Sequence, residues 1–299
     1  MKNIYLNIYK PNRSNLKKAK KIIENNNVIG LPTETVYGLA GNAYSNKAVK
    51  KIFKLKKRQH INPLIIHYKK LEDIRNDVIY NGSLLKLYKA FCPGPITFVL
   101  KKNPKSRISK IATAGKKTVA IRFPKHTIAR KVLKITNKPL AAPSANISTK
   151  LSPTCAKDVF EEFGKKIKMI LDGRKCKIGL ESTIIDLTGK PSILRPGKIT
   201  KEKIEKILKK RTKIKKKFKK INAPGQLKLH YSPGLPVEMN KKIIKKGQAL
   251  IGFGKNFKIG KNYFNLSKKG NLKEAANNLY KTMREIKKRK FKSIAVIKI

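Results

Sequence analysis

Apolar and polar residues follow two rhythms along this chain. One brings an apolar residue every three to four positions and predicts helices; the other comes as short unbroken apolar runs and predicts buried strands. Ser14 is placed to cap a helix running to about Asn25, and the run from Val28 to Leu31 reads as a buried strand. Ser45 or Asn46 caps the next helix, whose Ala48, Val49, Ile52, Phe53 and Leu55 share one face. Strands are expected from Leu64 to His67, Ile96 to Leu100, Thr118 to Ile121 and Leu140 to Pro143, with a helix from Thr127 to Thr136. Ser152-Pro153 reads as a helix start, with Pro at the first helical position, and Gly164 as its stop. Further strands are expected near Met169 to Leu171, Thr183 to Leu187 and Ser192 to Leu194. The alternation predicts an α/β domain with a mixed sheet.

The pattern changes after Leu208. A basic stretch gives way to a segment rich in Pro and Gly, and a second, smaller unit follows. There, a strand from Ala249 to Phe253, an amphipathic helix from Leu272 to Lys288 and a strand from Ser293 to Ile297 predict a short α/β module. With 299 residues, two domains are favoured over one. The predicted division is 1–210, a linker over 211–236, and 237–299.

Charge is the most unusual feature of the composition. Lys and Arg total 74 against 16 Asp and Glu, a net charge of +58. Such a field attracts polyanions, so a non-catalytic RNA-binding protein is one reading. Aromatic residues at 7% argue against base-stacking platforms. The lysines also recur throughout, as a compositional bias toward Lys, Asn and Ile would place them. Modest affinity for tRNA or double-stranded RNA follows either way.

The three cysteines form no CxxC pair and no zinc-ligand spacing, and suit a reducing compartment. No apolar run approaches the ~18 residues of a membrane span, and the start MKNIYLNIYKPN lacks a signal-peptide core. A cytoplasmic protein with no membrane partner is expected.

Candidate chemistry falls in five clusters. The first, LPTETVYGLAGNA, follows a strand and is dense in hydroxyls and glycine, as a small polar ligand would require. The second runs from Lys54 to His67. Its Lys56 and Arg58 either satisfy a helix C-terminus or clamp phosphates, and Asn62 and His67 raise its specificity. In the third, Arg122 ends an apolar strand and suits a carboxylate ligand through a bidentate pair, or a structural ion pair. The fourth, APSANISTKLSPT, offers Ser144, Asn146 and Ser152. The helix expected at Pro153 adds N–H groups that favour an anion. The fifth holds Glu181-Ser182-Thr183 and, on a later strand, Arg195 as a further phosphate contact. GxxxxGK[ST], GxSxG and HExxH are all absent. The set therefore points to electrostatic positioning of a phosphorylated substrate rather than a covalent nucleophile.

In this order, PTETVYGL, KLKKR with NPLIIH, TVAIRFP, APSAN with SPT, GLESTIID and LRPG resemble the YrdC-like family, the L-threonylcarbamoyladenylate synthases. LHYSPG, Leu229 to Gly234, resembles the linker of the two-domain members. The resemblance implies an open, twisted mixed α/β sheet with a concave basic cavity, followed by a small Rossmann-like C-terminal domain. It implies L-threonine, bicarbonate and ATP as substrates, with Mg2+ accompanying ATP. It also implies a downstream threonylcarbamoyl transferase machinery that modifies the adenosine beside the tRNA anticodon. Threonine contacts would fall on Thr35, His67, Arg122, Ala142 and Ser182. ATP contacts would fall on Arg58, Asn62, Thr118, Ser144, Asn146, Ser152, Arg195 and Tyr231, with Lys56 and Arg58 acting electrostatically. Zinc-finger cysteines, which mark related carbamoyltransferases of hydrogenase maturation, are missing. The chain departs from the family at Gln59, where Pro is usual, and at Arg174, where a second Gly is common.

Overall fold

Short strands strung between amphipathic helices build a mixed sheet of 11 strands. The computed structural model describes residues 6–215, 223–224, 231–241, 243–257 and 260–298. Much of the predicted linker, including Leu229 and His230, lies outside the described residues. In chain order the strands are β1 (Ile8–Tyr9), β2 (Ile29–Leu31), β3 (Gly38–Asn42), β4 (Ile65–His67), β5 (Ile96–Lys101), β6 (Thr118–Arg122), β7 (Leu140–Ala141), β8 (Ile170–Leu171), β9 (Thr183–Asp186), β10 (Ser192–Arg195) and β11 (Lys213–Ile214). Across the sheet they run β1-β8-β2-β3-β7-β4-β6-β5-β9-β10-β11. The helices are α1 (Arg13–Glu24), α2 (Asn46–Lys56), α3 (Gly82–Phe91), α4 (Thr127–Thr136), α5 (Ala156–Phe163) and α6 (Lys201–Leu208).

Period-two alternation sorts the strand residues onto two faces. Leu39, Ile66, Phe98, Ile121 and Ile185 join one core, which also takes the apolar stripes of α2, α3, α5 and α6. On the other face, α1 and α4 cover Ile29, Leu31, Ala40 and Leu140. Further along that same face, Ile65, Val99, Ala120, Ile184 and Leu194 pack with Ala223, and among the described residues no helix joins that cluster. A shallow trough is left there, floored by β4, β6, β5 and β9. It holds the site.

A second sheet of 4 strands runs β12-β15-β13-β14, all parallel. Its strands are β12 (Val237–Met239), β13 (Gln248–Gly252), β14 (Tyr263–Asn265) and β15 (Ser293–Val296), and α7 (Leu272–Lys288) crosses between the last two. Ala275 and Ile286 of α7 pack on Ile251 and Ile294. This is the Rossmann-like parallel arrangement that the resemblance implies. No helix among the described residues is long and apolar enough to cross a membrane.

Two helix starts differ from expectation. Asn12, not Ser14, caps α1, its side chain accepting from Asn15 N at 2.8 Å. Ser152-Pro153 does not open α5, which begins at Ala156. Pro153 is held in place by Tyr37 N, which donates to its carbonyl at 2.9 Å. The Asp158 carboxylate then accepts from Thr154 N at 2.8 Å and Cys155 N at 3.3 Å, fixing the start further on. Those N–H groups are therefore taken by the chain's own carboxylate, and the expected anion site at Pro153 is absent.

Strand β3 was hidden inside the first cluster because its sequence, GLAGN, lacks β-branched residues. The reason is contact. A Cβ at Gly41 would lie 3.1 Å from Val28 Cγ1 and 3.4 Å from Ala48 Cβ of α2. Arg174 keeps the backbone conformation that glycine favours, at φ 60°, and its carbonyl accepts from Tyr37 Oη at 2.8 Å. The departure at that turn thus leaves its left-handed geometry in place.

Candidate active site

Parallel register places His67 and Arg122 side by side at the ends of β4 and β6, on the trough face with Ile65 and Ala120. Arg122 Nη2 pairs with Glu34 Oε1 at 2.7 Å, and Nη1 donates to Thr35 Oγ1 at 2.8 Å. Its Nε has no partner. Of the two readings open for this arginine, the structure shows the ion pair, with Nε left over. Burial alone would raise the Glu34 carboxyl. The charge and hydrogen bond of Arg122, together with backbone N–H groups, more than offset that and leave it lowered.

His67 is buried, and both ring nitrogens lack partners. Burial, aided by the Arg122 charge, pushes its pKa down to about 3, so the ring is neutral in ordinary buffers. An unfolded histidine takes its proton near 6.5. Stability from this group is therefore full above that pH and drains away as pH falls toward 3. His67→Asn is expected to lose roughly 2–3 kcal/mol less than the parent between pH 7 and pH 4. Chemical denaturation across that range would show it, and parallel stability curves would contradict it.

Two further arginines of the site are held at their forks. Arg58 follows the left-handed C-cap of α2 at Lys57. Its Nε donates to Asn62 O at 2.9 Å, and Nη2 donates to Asn62 Oδ1 at 2.6 Å and Pro63 O at 2.8 Å. Asn62 thus aims Arg58. Burial lowers this guanidinium to about 9, still charged at neutral pH. Arg195 Nε and Nη2 donate to Ser182 O and Oγ at 3.0 and 3.1 Å, and Nη1 donates to Tyr231 Oη at 3.2 Å. Ser182 Oγ also pairs with Thr97 Oγ1 at 2.7 Å.

Arg58, His67, Arg122, Ala142, Ser144, Ser182 and Arg195 line one cavity, joined by Glu181 and Pro224. Thr35, Asn62 and Tyr231 reach it through the arginines they hold. Four expected residues stand behind the wall. Lys56 is fully buried and donates to the carbonyls of Ser144 and of Asn146 (2.5 Å), pinning that loop from beneath. Burial, then Arg58, lowers its pKa well below the usual lysine value. Asn146 Nδ2 closes the same loop through Ile147 O and Lys150 O, both at 2.8 Å. Ser152 donates to Glu181 Oε1. Thr118 starts β6, at the far end of the strand from Arg122.

Glu34 and Glu181 were not singled out as site residues. Their signal was available: they are two of only 16 acids, each inside a hydroxyl-rich cluster. The arginines carry a second signal. The chain has 11 arginines among its 74 basic residues, yet every described basic residue lining the cavity, apart from His67, is an arginine.

A family model described as Sua5/YciO/YrdC, telomere recombination, matches residues 21–197. The chain belongs to this Sua5/YciO/YrdC family. A second model, described as the C-terminal domain of threonylcarbamoyl-AMP synthase, matches residues 199–299. The threonylcarbamoyl-AMP synthase of Pyrococcus abyssi is 43% identical over 231 residues, 73% of this chain and 66% of that protein. The Schizosaccharomyces pombe protein of the same name is 39% identical over 256 residues, 74% of this chain and 62% of its own length. The chain thus spans just under two thirds of each of these relatives. Among solved structures, P. abyssi Sua5 complexed with L-threonine superposes with a TM-score of 0.88 at 34% identity, covering 98% of this chain and 91% of that one. Escherichia coli YciO, at 21% identity and a TM-score of 0.56, shares the fold of this Sua5-type first domain.

Proposed function

We propose that the protein forms L-threonylcarbamoyl-AMP from L-threonine, bicarbonate and ATP. The observation that carries this is the cavity itself: three forked arginines converge on it beside a neutral, unpartnered His67. Forked cations suit carboxylate and phosphate oxygens. A neutral imidazole suits an amine or hydroxyl that must not meet another charge.

On this reading the threonine amine attacks the bicarbonate carbon: an N–C bond forms, a C–O bond breaks, and the departing hydroxide leaves as water with a proton from the amine, giving the carbamate. A carbamate oxygen attacks the ATP α-phosphorus, a new P–O bond forms, the bond to the β-phosphate bridge breaks, and pyrophosphate leaves. Arg122, with Thr35, His67, Ala142 and Ser182, forms the amino-acid end. Arg58, aimed by Asn62, and Arg195, aimed by Tyr231, form the nucleotide end beside Ser144. Lys56, Asn146 and Ser152 hold the loops on which those groups sit. No covalent nucleophile takes part; positioning and fixed positive charge do the work. The product would pass to a transferase that modifies tRNA. The L-threonine in the P. abyssi structure supports the amino-acid end of the reading.

Magnesium would accompany ATP. Among the described residues no group of three His, Cys, Asp or Glu could hold the ion. Glu181, the carboxylate in the cavity wall, is already engaged by Ser152 and Tyr280. An ion held by phosphate oxygens and water fits these residues; a dedicated protein cage does not.

Incubation with threonine, bicarbonate and Mg-ATP, followed by mass spectrometry, should yield a threonylcarbamoyl-nucleotide adduct. Pyrophosphate should be released only when all three substrates are present. Tight, salt-dependent RNA binding with no adduct would sink the proposal.

A further inference from the structure

The second domain reaches into the site described above. One face of α7 packs against the first domain, where Tyr280 joins Val36 and Leu151 in a small apolar cluster. The approach is close enough that a Cβ at Gly179 would lie 2.8 Å from the Asn277 Cα. Asn277 Nδ2 donates to Cys176 O at 2.7 Å, and Arg284 Nη2 donates to Leu151 O at 2.5 Å. Between these anchors Tyr280, 4% exposed, turns its hydroxyl to Glu181 and donates to Oε2 at 2.8 Å.

Tyr280 has two routes inward. Through its hydroxyl it fixes one oxygen of Glu181, whose other oxygen accepts from Ser152. Through its ring it backs Tyr231, with centroids 5.9 Å apart and planes 24° from parallel. Tyr231 in turn accepts from Arg195. Glu181 and Arg195 are cavity-wall residues on the nucleotide side. Without the Tyr280 hydroxyl, an almost buried carboxylate lining the same cavity as Arg195 would lose one of the two side-chain hydrogen bonds described for it. It would then be free to turn toward the nearest arginine and compete with an anionic ligand.

We infer that Tyr280 is a positioning residue of the nucleotide pocket, supplied by the C-terminal domain and acting through Glu181. Nothing in the sequence of α7 marks it, since the same position serves as an ordinary apolar stripe residue. The inference rests on the nucleotide reading of the Arg58–Arg195 wall, and the test separates the two.

The test is a double-mutant cycle with Tyr280→Phe, which keeps the ring, and Glu181→Gln. Calorimetry with α,β-methylene-ATP gives nucleotide affinity, steady-state assays give the two KM values, and thermal melts check folding. Tyr280→Phe should weaken nucleotide binding by about tenfold, the factor that 1.4 kcal/mol produces. The KM for threonine should stay unchanged. In the Glu181→Gln background, Tyr280→Phe should add nothing. Lys288→Ala breaks the rim contact of Lys288 with Glu161 at 2.7 Å without touching this path, and should leave nucleotide affinity as it was. The inference is overturned if Tyr280→Phe binds nucleotide like the parent, if the two substitutions multiply, or if both KM values rise together. A parent protein that binds the nucleotide analogue yet makes no adduct would sink the functional proposal alone. The affinity cycle would still decide the role of Tyr280.

Discussion

Replacing Arg58 with alanine is expected to lower kcat/KM for adduct formation by about 10²–10³-fold, the loss seen when one preorganised charge-stabilising donor is removed. Arg58 is fixed by the three hydrogen bonds it donates to two residues, so the site spends nothing on orienting it during reaction. Lysine at this position keeps the charge and loses the fork. Arg58→Lys should therefore recover little of the rate and still fall at least about tenfold short of the parent. Pyrophosphate release under saturating substrates measures both variants, with a melting curve to show that each has folded. Parent-like turnover in Arg58→Lys would mean that the contact is a point charge and that Asn62 has another purpose.

Replacing Arg122 with alanine should be the most destabilising single change in the cavity. It leaves Glu34 buried, charged and unpaired, and breaking such a pair costs about 3–5 kcal/mol. For a chain of this size that corresponds to a fall in Tm of roughly 5–8 °C. Two effects are mixed in that number, and a paired substitution separates them. Arg122→Met with Glu34→Leu removes both charges and should regain most of the lost stability, since replacing a whole buried pair with apolar groups is close to neutral. Threonine binding should stay lost in the pair. If threonine affinity returned along with stability, Arg122 would be a structural residue only, and the amino-acid end of the pocket would have to lie elsewhere.

The sequence made some of this visible and concealed the rest for physical reasons. Helices α4 and α7 follow the expected limits because each carries a full amphipathic stripe. Strand β3 was concealed because its glycines answer to neighbours outside the strand, Gly41 to α2 and Gly38 to Ala142 and Pro143, which is tertiary information. Helix α3 was not among the expected elements; it opens on Asn81-Gly82, ordinarily turn chemistry, with Asn81 as the cap and its side chain accepting from Leu84 N. In the site, His67 and Arg122 stood out as polar residues ending apolar strands, and Arg58 as a cation just past a helix. Asn62 and Thr35, which the arginines hold, were named as well, but the buried acids and the tyrosine of α7 were not. Glu34 meets Arg122 across 88 positions and Tyr280 meets Glu181 across 99, separations that no local pattern encodes.

The arginines of the cavity lie within a chain otherwise dominated by lysine, and this divides the protein's positive charge into two populations. Lysines on the outside act over distance, and salt shortens their reach to about 8 Å at physiological ionic strength. The walled-in guanidinium groups act by contact, where dissolved ions hardly penetrate. Raising the salt therefore dims the attraction that gathers anions from solution while the grip on a seated ligand persists, so arrival and retention answer to different conditions.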